Sequence, residues 1–298
     1  MTAFVRGVLA ATVLYTLLVG CGTGRGPGAP DGPSPGSAEA ASPRQGKPFL
    51  NTAPRFAPGP GGLTPVFRRA AASAAGTGRT VALTFDADMT ADQGRRAADG
   101  ERFDNPALIA TLRELKVPAT VFMTGRWAEE YPDQAMAIGG DPLFEIANHS
   151  YSHYAFTAPC YGLPVIREQE MRSDVERAFA AFRAAGVRNV VPYFRFPGGC
   201  YDDTALRAIA PAEVTAVQWD VVGGDAFATD ADAVAEQVLT GVRPGSLVVM
   251  HCTRSAAPAT EQAIRKIVPE LRARGYRMVK VSELMRTSLL ADDPPDAP

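Results

Sequence analysis

The chain has 298 residues, of which 46% are hydrophobic and 21% charged, the balance of a soluble globular protein with room for one large domain or two small ones. Its net charge is −2 and no Lys/Arg-rich run occurs, which argues against nucleic acid or an anionic lipid surface as the main partner.

Arg6 precedes an apolar stretch at residues 7–19. A spanning helix needs roughly 20 residues, so this stretch reads as the core of a signal segment. It ends in Leu18-Val19-Gly20-Cys21, which resembles a bacterial lipobox, cut before Cys21 and lipidated on its thiol. The alternative is an ordinary secretory signal that happens to contain Cys21. On the first reading residues 1–20 are a lipoprotein signal, and the mature protein is exported and anchored to the outer face of the cell membrane by lipid on Cys21. Residues 21–78 are rich in Gly, Pro, Ala and Ser and lack an apolar period, so they are expected to form a tether. Within them Phe49-Leu50 and Val66-Phe67 are the pieces able to touch a domain. That domain is expected over 79–287, with a disordered tail at 288–298.

From Thr80 the pattern changes. Strands are predicted at 81–85, 119–123, 143–147, 190–194, 214–218, 247–250 and 276–281. Helices alternate with them at 105–115, 127–138 (interrupted at Pro132), 168–185, 203–209, 230–239 and 258–274. Asp104 or Asn105 caps the first helix, with Pro106 in its opening turn. In the third, Met171, Val175, Ala178, Phe179 and Phe182 recur at spacings of three and four, and Gly186 ends it. About seven short, continuously apolar strands imply an α/β fold with a parallel sheet, barrel or doubly wound. No glycine-rich phosphate loop follows a strand, which weakens a nucleotide-binding reading.

All three histidines lie in two short motifs, His149 and His153 in one and His251 in the other. Asp86, His149, Arg195, Asp220 and His251 each follow an apolar run. In a parallel barrel such positions share the carboxyl end, where active sites form. On a helical turn, the four-residue spacing of His149 and His153 would aim both rings at one ion. Asp86 or Asp88 would supply a carboxylate, leaving a position open to water. A zinc-type metal there lowers the pKa of water to about 7 and polarises a carbonyl. A carboxylate off the metal would take a proton, and His251 would protonate a leaving group. That set points to a metal-assisted hydrolase for an amide or ester. Against it stands the reading of three satisfied structural histidines.

Residues 145–153 closely resemble the metal-binding His-Ser/Thr-x-x-His motif of the polysaccharide deacetylases, carbohydrate esterase family 4 (the chitooligosaccharide deacetylase homology domain). The segments 83–86, 195–199, 219–225 and 249–251 resemble the family's other motifs in order and spacing. The resemblance spans about 80–284 and implies a distorted (β/α) barrel with about seven parallel strands. It implies Asp86 as general base, paired with Arg195, and His251 as general acid. His149 and His153 would bind a divalent metal, Zn2+ or a similar ion such as Co2+, and the Gly198 N–H would stabilise the oxyanion. The reaction implied removes N-acetyl, or O-acetyl, from a cell-surface glycan such as peptidoglycan or a chitin-like polymer.

Three positions depart from the family pattern. The usual second aspartate of the first motif is Ala87, so either Asp88 reaches the metal after a one-residue shift or the site is His-His-water. Asp88 as a turn residue is the bland alternative. In the fourth motif Val222 replaces one aspartate. Asp225 is left to orient His251, with Asp220 as second choice. Gly198 replaces an aromatic residue, an expectation of a widened groove or an altered sugar subsite. Beyond Cys21, an exported protein favours a disulfide, and Cys160–Cys200 is the candidate pair. Cys252 is then a buried thiol, the competing reading being a thiolate metal ligand. Trp127 is expected in the core. Tyr151, Tyr154 and Tyr161 lie near the metal loop and are either sugar-stacking or structural. The chain is expected to be a monomer whose partners are a glycan and, through its lipid, a membrane. Two other functions fit the residues: a catalytically silent glycan-binding lipoprotein, and the same hydrolysis on a different acylated substrate.

Overall fold

Short runs of β-branched and aromatic residues build the sheet. The computed structural model describes residues 50–70 and 78–292; the signal segment, Cys21 and most of the expected tether lie outside them. Nine strands form one parallel sheet: β1 (Val66–Phe67), β2 (Thr80–Ala87), β3 (Ala119–Met123), β4 (Phe144–Asn148), β5 (Val190–Phe194), β6 (Thr215–Val217), β7 (Val221–Val222), β8 (Ser246–His251) and β9 (Arg277–Met278). Eight follow the path β1-β6-β5-β4-β3-β2-β8-β7, and β9 pairs with β2 beside it. Among the described residues no ladder joins β7 to β1, so the sheet is a curled, open barrel with nine strands where about seven were expected. The two additions, β1 and β7, are two residues each, too short to carry a period in the sequence.

The helices are α1 (Gly94–Ala98), α2 (Pro106–Glu114), α3 (Gly125–Glu130), α4 (Pro132–Gly139), α5 (Glu168–Ala184), α6 (Asp203–Ile209), α7 (Ala231–Gly241), α8 (Thr260–Ala273) and α9 (Val281–Asp292). Asn105 caps α2 by accepting from the Leu108 N–H, and Asp230 caps α7. Gly186, at φ +69°, ends α5.

Alternation along β2 divides the core. Val81, Leu83, Phe85 and Ala87 join the large cluster that also holds Leu108, Trp127 and Ile264, from the surrounding helices. Ala82 belongs instead to a second cluster with Phe122, Tyr193 and Leu247. Asp86 shares the parity of Ala82, so the strand's period of two turns it away from the helices.

Two expectations change at the ends. The strand expected over 276–281 is only two residues long. Val281 instead opens α9, whose first N–H groups donate to the Thr120 hydroxyl (2.9 Å, from Val281) and to Glu145 Oε1 (3.0 Å, from Ser282). A buried carboxylate at a helix start offsets the helix dipole, and α9 runs to Asp292, past the expected domain end at 287. The expected tether also joins the fold before 78. Leu50 bridges Val190, β1 pairs with β6, and Phe56 stacks on Phe67.

Candidate active site

Strand register assembles the first part of the site. Asp86 on β2 stands opposite His251 on β8. The ladder continues one residue past the other strands: the His149 N–H donates to the Met123 carbonyl (2.9 Å) and the Arg195 N–H to the Asn148 carbonyl (2.8 Å). Asp86, His149, Arg195 and His251 are therefore brought to one end of the sheet, as the sequence predicts.

Arg195 is wholly buried. Its Nη1 pairs with Asp86 Oδ1 at 2.6 Å, Nη2 donates to the Thr84 hydroxyl at 2.9 Å and Nε to the Val217 carbonyl at 3.2 Å. The guanidinium also lies 3.8 Å from the Phe122 ring centroid. Burial pulls its pKa below the ordinary arginine value, against the opposing pull of the Asp86 charge. One Asp86 oxygen is thus committed, and Oδ2 faces His149 Nε2 at 3.6 Å.

The His149 Nδ1 lies 3.0 Å from the Arg195 carbonyl, which can only accept. Nδ1 therefore carries the proton and Nε2 the lone pair. Burial pushes this imidazole down to about 4, so it is neutral near pH 7. The expected helical turn between His149 and His153 does not form. Ser150 and His153 adopt left-handed backbone, at φ +71° and +57°. Local bonds hold that bend: the Ser150 N–H donates to Asn148 Oδ1 (2.8 Å), and the His153 N–H to the Ser150 hydroxyl (2.9 Å). Asp174 of α5 accepts from the Tyr151 N–H at 2.7 Å. The two imidazoles still meet, with centroids 5.0 Å apart.

Asp88, sharing the parity of Asp86, brings Oδ2 to 3.5 Å from His153 Nε2. Its Oδ1 accepts from the Thr253 hydroxyl, and its N–H donates to the same oxygen at 3.2 Å. Burial raises the carboxyl pKa, but His153, His251, the Thr253 bond and His149 outweigh it and leave it lowered. Ala87 lies in the helix-side core, so an aspartate there on straight strand backbone would point away from the histidines.

Among the described residues no three His, Cys, Asp or Glu side chains enclose a metal-sized position as they stand. The donor chemistry nevertheless fits a divalent cation: one neutral imidazole with its lone pair free, a second imidazole beside it, and a carboxylate. The 3.5 Å between Asp88 Oδ2 and His153 Nε2 is too long for a hydrogen bond. It matches the edge of a tetrahedron with bonds of about 2.1 Å, which is about 3.4 Å.

Asp225 holds His251 twice, accepting from its backbone N–H at 2.7 Å and contacting Nδ1 at 2.9 Å, while Thr260 donates to the same carboxylate at 2.7 Å. Nδ1–H is the donor, which leaves Nε2 available to a ligand. Burial alone would lower the His251 pKa; the Asp225 bond and charge, with Asp88 and Asp86, raise it to about 9. Asp220, the second choice for this role, instead accepts from the Ser246 hydroxyl (2.9 Å) and the Leu247 N–H (2.7 Å), at the opposite end of β8.

Gly198 lies at φ +63° in the short turn Pro197–Gly199. The groove over it is not widened. A Cβ there would sit 2.5 Å from Cys160 Sγ and 3.3 Å from the Tyr161 ring, so the 157–163 loop fills the space. Cys160 and Cys200 form the expected disulfide. Cys252 is a buried free thiol, its pKa pushed up to about 12 by burial, and it packs in the helix-side core with Ala87 and not among the histidines, which favours the buried-thiol reading. Trp127 is in the core, its indole N–H donating to the Phe103 carbonyl at 2.7 Å. The Tyr151 ring carries Arg177 at 3.8 Å over one face and packs against Gly125, contacts that favour the structural reading. Thr253, Thr260 and Asp174 lie outside every motif in the sequence and Thr84 lies inside one without a role of its own; Thr84 and Thr253 each stand two residues from a candidate.

The sequence profile of the polysaccharide deacetylase family matches residues 73–217. A chitooligosaccharide deacetylase of Sinorhizobium fredii is 30% identical over 183 residues, 57% of this chain and 80% of that protein. A peptidoglycan-N-acetylglucosamine deacetylase of Bacillus cereus is 28% identical over 211 residues, 70% of this chain and 69% of that one. The crystal structure of the Bc1960 peptidoglycan N-acetylglucosamine deacetylase superposes with a TM-score of 0.61 at 24% identity, over 76% of this chain and 94% of that one, a likeness of fold. The open parallel barrel, the motif residues gathered at its carboxyl edge and these similarities agree: the chain belongs to the polysaccharide deacetylase family, carbohydrate esterase family 4.

Proposed function

We propose that the protein is a metal-dependent hydrolase that removes N-acetyl groups, with O-acetyl as a second target, from a cell-surface glycan such as peptidoglycan or a chitin-like polymer. The observation that carries this reading is the facing of Asp86 and His251 across adjacent strands, each oriented by its own buried partner, Arg195 and Asp225. A glycan-binding protein without chemistry has no use for that pair. The names of the relatives, chitooligosaccharide and peptidoglycan-N-acetylglucosamine deacetylases, support the substrate class.

Asp86 acts as the base: with Oδ1 tied to Arg195, Oδ2 accepts a proton from water as its oxygen adds to the acetyl carbon. The Gly198 N–H donates to the carbonyl oxygen as negative charge develops there. His251 holds its proton near pH 7 and donates it from Nε2 to the departing nitrogen. The C–N bond breaks, releasing acetate and a free amine. Asp225 keeps the imidazole in the donor orientation throughout. A divalent cation, Zn2+ or Co2+, held by Asp88, His149 and His153 would supply Lewis acidity at the carbonyl and a lowered pKa of water.

Acetate release from N-acetylglucosamine polymers, oligomers and O-acetyl esters tests the reading on metal-loaded protein. Glycan binding without turnover on any substrate would make it a silent binding protein. Turnover confined to non-sugar amides would keep the chemistry and move the substrate. The proposal includes export and anchoring by lipid on Cys21, supported by the sequence at 18–21; lipid labelling that survives Cys21→Ala would contradict it. Among the described residues no helix is long and apolar enough to cross a membrane. We take the enzyme to be monomeric, which sedimentation would check.

A further inference from the structure

Exposed apolar side chains are concentrated on two segments beside the candidate site. Among the described residues five large hydrophobic side chains are exposed: Tyr161 and Val165 lie on one segment, Val222 and Phe227 on the other, and Met136 elsewhere. Tyr161 and Phe227 are the aromatic members, 90% and 84% exposed. Both also adopt left-handed backbone, at φ +46° and +61°. A bulky residue in that region is an outlier, and such strain persists only where the surroundings impose it. Neither ring gains packing in return.

Both loops are fastened to catalytic elements. Cys160, next to Tyr161, is bonded to Cys200, and the Tyr161 ring lies 3.3 Å from where a Gly198 Cβ would be. The Leu163 N–H closes the loop on the Cys160 carbonyl at 2.8 Å. On the other side the Phe227 N–H donates to the Ala256 carbonyl, just beyond His251, at 2.5 Å. The Ala228 N–H donates to the carbonyl of Asp225, the residue that orients His251, at 3.1 Å. One aromatic is thus built onto the Gly198 side of the site and the other onto the His251 side.

We propose that Tyr161 and Phe227 are stacking platforms for sugar rings on the two sides of the reacting residue, so that the substrate is an internal unit of an extended glycan chain. The inference rests on the deacetylase reading. The apolar C–H face of a pyranose covers an aromatic face, and rings fixed before binding lose little freedom when covered. A terminal sugar or a disaccharide would occupy one platform at most.

The test uses Tyr161→Ala, Phe227→Ala, and the rescue variants Tyr161→Trp and Phe227→Trp, with thermal midpoints to verify folding. KM and kcat are read on the N-acetylglucosamine dimer, tetramer and hexamer, and calorimetric titration reads hexamer binding. Each alanine variant should raise the hexamer KM about tenfold, the loss of roughly one ring-stacking contact. Its kcat should stay within about twofold, the dimer KM should rise in at most one of the two alanine variants, and tryptophan should restore the hexamer KM. An unchanged hexamer KM in either alanine variant overturns the proposal, as do equal losses on dimer and hexamer in both variants. If wild type binds the hexamer but turns over no oligomer, the deacetylase reading fails and the titration decides. Hexamer binding weakened by alanine and restored by tryptophan then supports the platforms; binding unchanged by the variants, or absent in wild type, overturns them.

Discussion

The site has a strand-borne half and a loop-borne half. Asp86, His149, Arg195 and His251 take their places from sheet register and its one-residue continuations, with most of each side chain buried. Asp88, His153 and Gly198 sit in bends, and the last two need positive φ. Side chains stabilise these bends locally: Thr253 holds Asp88, Ser150 holds the His153 backbone, and the Cys160–Cys200 bond lies against Gly198. The strand half is rigid because moving it would break ladders. The loop half holds its shape through individual bonds, each of which a substitution can remove without unmaking the sheet.

The largest effect should fall on the strand half. Asp86→Asn is expected to lower turnover by about 10²–10⁴-fold, measured as acetate release. It also leaves the Arg195 charge uncompensated in the core, so urea unfolding should show a loss of about 3–5 kcal/mol. A milder result than for loop variants would undo the division. Next in size is Cys200→Ser. The disulfide closes a separation of 40 residues, and its removal should cost about 4 kcal/mol if chain entropy sets its value. A stability unchanged by that substitution would mean the 157–163 loop is held by other contacts.

Asp88→Ala should keep the fold and weaken metal binding by at least about 10–100-fold, read by calorimetry. Ala87→Asp on that background should not restore it, because position 87 packs into the helix-side core. Rescue by Ala87→Asp would show that the first motif can bind without the one-residue shift. The smallest effect concerns pH. Despite burial, the Asp225 hydrogen bond and charge hold His251 at about 9, above the usual histidine value near 6.5. The folded protein therefore binds this proton more tightly than the unfolded chain. The pair's stabilisation is complete below about pH 6.5 and is lost as pH rises through about 9. Asp225→Asn should cost more stability at about pH 6 than at about pH 10, and should move the alkaline fall of turnover to lower pH. Equal costs at both would contradict the pairing.

What the sequence made legible follows the same division. The apolar runs before Asp86, His149, Arg195 and His251 announce strands, and a parallel sheet sends their ends to one face, so convergence could be read without coordinates. The cap of α2 was legible to within one residue, Asp104 or Asn105, because a side chain next to a periodic run leaves a local signature. The bend of residues 149–153 was not. A spacing of four suggests a helical turn, and the left-handed Ser150 and His153 depend on Asn148 and on Asp174, which arrives from α5. Asp220 misled for a related reason: it follows an apolar run, yet tertiary bonds turn it to the start of β8. The C-terminal helix was missed because its opening N–H groups are satisfied by Thr120 and Glu145, remote in sequence. Tyr161 was a sugar-stacking candidate from its place near the metal loop, whereas Phe227 carried no sequence signal for its exposure, which depends on the packing of the whole domain.

The central claim is that strand-borne and loop-borne residues form one hydrolytic metal site. Metal content and acetate release from an N-acetylglucosamine oligomer, measured together on wild type and His149→Ala, test it most directly. The account predicts one bound divalent metal per chain with turnover in wild type, and loss of both in the variant while it still unfolds cooperatively. Turnover that persists in His149→Ala, or a wild type that holds its metal and releases no acetate, would contradict it.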